Sequence, residues 1–283
     1  MNIIKIAGVP EHFNMPWHLC LENNEFGSKD IDLQWIDVPE GTGKMCQMLR
    51  NQEIDMAIVL TEGIIKDIVA GNDCSIIQVY VQSPLIWGIH VDFNSKYFSI
   101  NDLQNKKAAI SRFGSGSHLM SMVNASNQGW IIDNLQFEIV NTIDGAVNSL
   151  ASQESDYFMW EKFMTKPLVD AEIFRKIADC PTPWPCFVIA VRNEVLTNKT
   201  EIIKKIINII NTKTTGFKSI NNIYQTLALR HNLKSADVQQ WLKITNWSQK
   251  NLSESEFNKI QNQLFDLKII DKKCTFAEIV KTI

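Results

Sequence analysis

The sequence predicts an α/β protein of two lobes with a small-molecule cleft between them. Three observations carry this expectation. Apolar segments of strand character alternate with helical segments from Ile3 to Val81, the pattern of a parallel sheet covered by helices. The same alternation resumes at Lys107 and runs to Trp160. Two further apolar segments, one from Ile86 to Val91 and one from Phe187 to Val191, stand where a chain would cross between lobes. They place residues 1–90 and 187–283 in a discontinuous first lobe and residues 91–186 in a second, with crossings near Gly88 and Phe187. A cleft between two such sheets suits a small ligand.

The elements follow in order. Ile3 to Val9 reads as a strand, and Pro16 to Phe26 as a helix with proline at its start, where the missing N–H costs nothing. Ile31 to Val38 alternates with period two, the mark of a strand. Thr42 to Gln52 places Met45, Met48 and Leu49 on one helical face, with Thr42 as a candidate cap. Ile54 to Leu60 is nearly continuous in apolar residues, as a strand buried on both faces should be. A helix from Ile64 to Ala70 and a strand from Ser75 to Val81 close the first series. In the second series, the strands are Lys107 to Ser111, Phe137 to Val140 and Asp156 to Trp160, with a helix from Ile143 to Ala151. From Asn198 the chain reads as helical, and Ile202, Ile203, Ile206, Ile207 and Ile210 form a packing stripe.

Composition narrows the function. The chain has 283 residues, 45% of them hydrophobic, enough to bury a large core or two smaller ones. A formal net charge of -3 leaves no basic surplus to neutralise phosphates, so nucleic acid is not expected as a partner. No apolar run is long enough to cross a bilayer. The start has no charged and apolar leader, so a cytoplasmic protein is expected, or a periplasmic one if a leader has been removed. The six cysteines, at 20, 46, 74, 180, 186 and 274, form no CxxC pair and read as buried thiols.

Several motifs are set aside. Gly41-Thr42-Gly43-Lys44 is not a phosphate-binding P-loop, because Val38 and Met45 stand where that motif needs glycine and Ser or Thr. The five histidines show no metal spacing, and Gly114 to His118 lacks the spacing of a nucleophile elbow. Neither a metal nor a cofactor is expected. The positive signal is Phe113-Gly114-Ser115-Gly116-Ser117-His118, a glycine-rich turn between a strand and a helix. The first-turn N–H groups and two hydroxyls suit a carboxylate, sulfonate or phosphate oxygen, while the plainer reading has Ser117 capping the helix.

These residues resemble the type 2 periplasmic binding fold, in the group holding the nitrate, taurine and alkanesulfonate binding proteins and the thiamine-pyrimidine synthases. Asn14-Met15-Pro16 stands at the family's entry to its first helix, and Leu49 to Ala57 resembles L-x-x-G-x-x-D-x-A/G with Gln52 at the glycine. Ile100 to Ile110 resembles D-L-K-G-K-K-I-A, and Trp160-Glu161 resembles W-E-P with Lys162 replacing proline. Pro181-Thr182-Pro183-Trp184-Pro185-Cys186-Phe187 is similar to a non-secreted branch that includes a Candida protein and bacterial relatives. The resemblance implies ligand binding between lobes that close by a hinge, with an importer permease as partner only for an exported protein. It also implies an alternative, a synthase-like enzyme or a pyrimidine- or pyridoxal-binding protein. The synthases' cofactor-bearing Lys and following His correspond here to Val59 and Gly63, so no Schiff base is expected and the chain reads as a binding protein, not an enzyme.

Strand ends and motif matches select the site residues. They are His12, Asn14, Thr42, Thr61 and Glu62 in the first lobe, and Ser111, Ser115, Gly116, Ser117, His118, Trp160 and Glu161 in the second. The serine turn would hold an anionic group, and Trp160 and Trp17 would pack the ligand's body. The two acids leave a zwitterion such as an amino-sulfonate open.

Overall fold

The computed structural model describes residues 2–283. The strands are β1 (Asn2–Gly8), β2 (Ile31–Asp37), β3 (Met56–Leu60), β4 (Cys74–Val81) and β5 (Ile86–Asp92). They continue with β6 (Lys107–Ile110), β7 (Gln136–Ile139), β8 (Tyr157–Glu161), β9 (Phe174–Pro181) and β10 (Phe187–Arg192). Between them run the helices α1 (Met15–Glu22), α2 (Thr42–Arg50), α3 (Thr61–Val69), α4 (Gly116–Asn127), α5 (Ile143–Ala151) and α6 (Lys166–Asp170). The C-terminal part is helical: α7 (Asn193–Asn198), α8 (Thr200–Gly216), α9 (Ile223–His231), α10 (Ser235–Ile244), α11 (Glu254–Asp266) and α12 (Phe276–Ile279).

The chain divides into two compact units. One runs through Pro84 and takes up again at Trp184–Phe265 and Ile270–Ile283; the other comprises Leu85–Pro183 and Asp266–Ile269. The first unit holds a five-stranded sheet in the order β2-β1-β3-β10-β4, the second a sheet in the order β7-β6-β8-β5-β9. In the first, β1, β2 and β3 are parallel and β10 lies antiparallel to both β3 and β4. In the second, β6, β7 and β8 are parallel and β5 lies antiparallel to both β8 and β9. Each sheet thus repeats one plan, four strands in a 2-1-3-4 order with an antiparallel strand inserted next to the last.

This plan corrects the sequence division at the crossings. Residues 86–90 were expected in the first lobe, yet the whole of β5 is bonded into the second sheet, from Ile86 opposite Pro181 to Asp92 opposite Phe174. The unit boundary therefore falls at Pro84–Leu85 on the way out and at Pro183–Trp184 on the way back. Apolarity identifies a strand buried on both faces but says nothing about which neighbours bury it.

The interior strands explain their own composition. All eight residues of β4 are buried, and its one amide, Gln78, exchanges hydrogen bonds of 2.8 and 3.1 Å with Asn211 of α8. The outer edge of β4 is covered at Ile76 by Val280 and at Val81 by Trp247, which removes an open row of N–H and C=O groups. On α8, Ile203, Ile206, Ile207 and Ile210 are buried, as the isoleucine stripe requires. Five of the six thiols are buried, and Cys274 is half-buried.

In the second unit, Ala109, Val140, Ala146, Leu150, Phe158 and Phe174 form one apolar cluster. α5 sits on it through a close approach at Gly145, where a Cβ would stand 1.9 Å from the Val140 carbonyl oxygen. Gly145 N–H also donates to the Thr142 hydroxyl at 3.0 Å, which caps the helix. Gly145→Ala should therefore force α5 off the strand end and destabilise the protein by about 1–3 kcal/mol. Urea denaturation measures this; an unchanged midpoint would show that the loop moves aside freely.

Candidate functional site

Ligand sites in α/β sheets gather at the carboxyl ends of parallel strands. In the first unit that edge is formed by the ends of β1, β2 and β3 and by the starts of α1, α2 and α3. The edge is tied internally at several points. α2 begins after Gly41, whose φ of 79° suits glycine. Thr42 is its first helical residue, and the hydroxyl is not a cap but accepts the Leu60 N–H at 3.0 Å, holding the end of β3. α3 begins at Thr61, three residues before the expected start, so Thr61 and Glu62 form its first turn. Thr61 donates its hydroxyl to the Pro185 carbonyl at 2.5 Å, and its N–H donates to Cys186 at 3.1 Å. Glu62, 3% exposed, accepts the Trp184 indole N–H at 2.7 Å.

His12 and Asn14 lie in the tight turn that follows β1, and both are fully buried. The His12 ring stacks on Phe13 and meets Trp241 edge-on at 4.1 Å between centroids. Burial, and secondarily the charge of His231, drives its pKa down to about 3, so it is neutral. Asn14 donates its Nδ2 to the Val9 carbonyl at 2.8 Å. Trp17 is fully buried, with its ring stacked 6.1 Å from Phe26.

In the second unit the corresponding edge carries a hydroxyl cluster. Ser117 Oγ accepts the Ser111 N–H at 3.0 Å and lies 3.1 Å from Ser111 Oγ and 3.0 Å from Ser115 Oγ. All three serines are buried. The cap of α4 is Ser115, not Ser117: its backbone is extended, and its oxygen accepts the His118 N–H at 3.4 Å. Gly114, with φ of 78°, makes the turn that puts Ser115 there. The first intrahelical bond runs from Leu119 N–H to Ser115, so the N–H groups of Gly116 and Ser117 point out of the helix end. His118 turns the other way. Its Nδ1 accepts the Gly114 N–H at 3.2 Å, and its ring sits between Phe113 and Phe137.

Trp160 and Glu161 end β8. The Trp160 ring stacks 5.3 Å from Phe158 and packs against the apolar cluster. Glu161, 5% exposed, accepts N–H groups of Phe163 and Met164 at 2.8 and 2.7 Å, which shapes the turn into α6. Neither geometry needs a ligand.

The sequence reading passed over three neighbours. Asn141, with φ of 61°, and Thr142 lie exposed at the end of β7, and the Asn141 N–H donates to Ser111 at 3.2 Å. The Thr142-x-x-Gly145 cap was the available signal. Trp184 was noted only as part of a proline-rich segment, and no local pattern ties it to Glu62. Among the described residues, no group of three His, Cys, Asp or Glu is arranged to hold a metal ion, and no helix is long and apolar enough to cross a membrane.

A family model described as Ca3427-like PBP matches residues 87–180. Among solved structures, the Candida albicans CA3427 gene product is 25% identical and superposes with a TM-score of 0.91, covering 100% of this chain and 97% of that one. It is described as exhibiting the generic periplasmic binding protein fold. The alkanesulfonate-binding protein SsuA of Xanthomonas axonopodis pv. citri, bound to MOPS, is 15% identical, with a TM-score of 0.84 and coverage of 100% and 99%. The periplasmic aliphatic sulphonate binding protein SsuA of Escherichia coli is 15% identical, with a TM-score of 0.77 and coverage of 100% and 92%. No curated protein matches the sequence. The chain has the type 2 periplasmic binding protein fold, and the resemblance seen in its motifs stands.

Burial raises the Glu62 pKa from its ordinary value of 4.5 to about 7. The unfolded chain releases this proton near 4.5 while the folded chain keeps it, so the group's contribution to stability is complete below pH 4.5 and is lost as pH rises through 7. Glu62→Gln keeps an acceptor for Trp184 and removes the titration. Its stability relative to the parent should rise by on the order of 1–3 kcal/mol between pH 5 and pH 8. Chemical denaturation at both pH values is the measurement, and a pH-independent difference would refute the assignment.

Proposed function

We propose that this protein binds, without transforming it, a small organic molecule bearing a sulfonate, carboxylate or phosphate group. The observation that carries the reading is the Ser111–Ser115–Ser117 hydroxyl cluster at the first turn of α4. Three hydroxyls and the outward N–H groups of Gly116 and Ser117 sit at the positive end of a helix dipole, at the carboxyl end of a parallel strand. The serine hydroxyls now satisfy one another, so an arriving anion can take their protons without leaving a donor stranded. Two of the similar structures are of sulfonate-binding proteins, one of them holding the sulfonate MOPS, which supports an acid group of this kind.

In this reading, His12, Asn14, Thr42, Thr61 and Glu62 belong to the ligand's second contact surface, and binding draws the two units together. Trp160 and Glu161 act at one remove, by fixing the end of β8. The synthase-like alternative gains nothing from the geometry, since Val59 and Gly63 offer neither an amine nor an imidazole. Pyridoxal phosphate with borohydride should leave no specific adduct on Lys44 or Lys66; a stoichiometric one would restore the enzyme reading.

A thermal-shift screen of sulfonates, phosphates and carboxylates should find ligands, and scattering should show compaction on binding. Charge-assisted hydrogen bonds are worth roughly 1.5–3 kcal/mol each. Replacing both Ser115 and Ser117 by Ala should therefore weaken binding on the order of a hundredfold, beyond the ~1 kcal/mol of stability lost with the cap. Unchanged affinity in a folded double variant would reduce the turn to a helix cap.

A further inference from the structure

Three of the five histidines meet at one corner of the first unit, and each arrives on a different element. His12 lies in the turn after β1, His18 on α1, and His231 at the last position of α9. The His12 and His231 rings stand 5.9 Å apart, edge to face, and the charge of His18 acts on His231. His12 is fully buried between Phe13 and the Trp241 ring of α10, and neither of its nitrogens has a partner among the described residues. Nε2 of His231 is buried and unpartnered as well. His18, half-buried, packs edge-on against Trp35 at 5.0 Å. Through these rings α9 and α10, which pack together, are seated on the β1–α1 turn.

The corner has no place for added positive charge. Arg230, beside His231, pairs with Glu22 of α1 at 2.5 Å, and Asp37, at the end of β2, accepts the Trp35 indole N–H at 2.8 Å. Asp37 and Glu22 favour a charge on His18, and Asp37 favours one on His231, but burial and Arg230 outweigh them. The C-terminal end of α9 would welcome a cation, and Arg230 already supplies it. Glu11, half-buried beside His12, is itself pushed up to about 7 by desolvation, so it carries little counter-charge in acid. Phe13 and Trp241 could return part of the cost of an imidazolium through their ring faces, less than its burial without hydrogen bonds takes away. We propose that His12, His18 and His231 form an acid-operated latch, which fastens α9 and α10 to the β1–α1 turn while the rings are neutral and releases them when the rings take up protons. The turn it fastens carries His12 and Asn14 at the carboxyl end of β1, so the latch makes the shape of that edge depend on acidity whatever the ligand.

The direction follows from burial. It holds His12 down to about 3 and His231 down to about 4 from the ordinary 6.5, and lowers His18 as well. The open corner takes up protons near 6.5 and the closed one does not, so the fastening is intact above 6.5 and is lost as pH falls toward 4 and 3. Hydrogen exchange at pH 7.5 and pH 5.5, corrected for the intrinsic effect of acidity, reads this helix by helix. Opening of α9 and α10 should rise about tenfold for each of His12 and His231. His231→Gln and His12→Phe, each checked by its melting curve at pH 7.5, should each cut that rise about tenfold. His231 is only half-buried, so its variant carries the test if His12→Phe does not fold. His90, buried in the second unit and lowered to about 4, titrates in the same window, so the comparison is made within the first unit, with α11 as reference. A rise in α9 and α10 that exceeds that in α11 and shrinks in the variants supports the latch. A rise no greater than in α11, or one that survives the substitutions, overturns it.

Discussion

Each sheet of this protein is completed by a strand that the chain delivers from outside the sheet's own run of β-α units. β10 sits between β3 and β4 and bonds to both, but more than a hundred residues separate it from β4. β5 sits between β8 and β9, although it precedes β6. The first sheet therefore has a gap between β3 and β4 until the second unit has been traversed. The chain crosses between units twice, at Pro84–Leu85 and at Pro183–Trp184. Closing so long a loop costs little more entropy than closing a short one, because the cost grows only with the logarithm of length. What secures β10 is burial: five of its six residues are buried, and it hydrogen-bonds on both sides.

The same insertion organises the site edge of the first unit. The residues that lead into β10, Trp184 to Cys186, reach the first turn of α3, where the Trp184 indole meets Glu62 and the carbonyls of Pro185 and Cys186 meet Thr61. Thr42, on α2, holds the neighbouring strand end through the Leu60 N–H. Backbone groups at that edge are spoken for by these ties. Side chains supply the remaining polarity, through Asn14, Glu62 and a neutral His12. In the second unit the tie is Ser117 to the Ser111 N–H, and the remaining polarity is hydroxyl and first-turn N–H. The two edges share a plan and differ in chemistry.

Much of this was legible in the sequence. Period-two alternation located β2, a nearly continuous apolar run located β3, and the turn at Gly114 to His118 announced a helix start rich in hydroxyls. Other features depended on contacts that leave no local trace. β5 and β10 were recognised as apolar segments and assigned as crossings, but their partners lie far along the chain. The start of α3 was missed because Thr61, Glu62 and Gly63 break the apolar periodicity, although Thr-Glu at the first turn is a favourable opening. Ser115 rather than Ser117 is the cap because the choice depends on backbone angles: Ser115 has φ -77° and ψ 169°, while Ser117 is already helical. Trp160 was assigned to a ligand wall on the strength of a motif; its ring lies against Phe158 and the apolar cluster and stays half-buried.

Unpaired buried polar groups do not all carry the same meaning. The indole N–H of Trp241 and Nδ1 of His90 are also unpartnered. Trp241 is nearly fully buried, and its ring lies against His12, Phe13 and Trp247, so its packing accounts for its position. His90, in mid-strand, keeps one nitrogen on the Thr165 hydroxyl at 2.9 Å, which accounts for its own. Glu62 and Asn14 are likewise half-paired, on the Trp184 indole at 2.7 Å and the Val9 carbonyl at 2.8 Å. A leucine at either position would fill the space but break these ties, so each polar group both holds its turn and keeps one atom unpaired. Departures of this kind from polar satisfaction are tolerated where function requires them. Their position at the carboxyl ends of two adjacent parallel strands, where this architecture gathers its ligands, separates them from the merely unpaired.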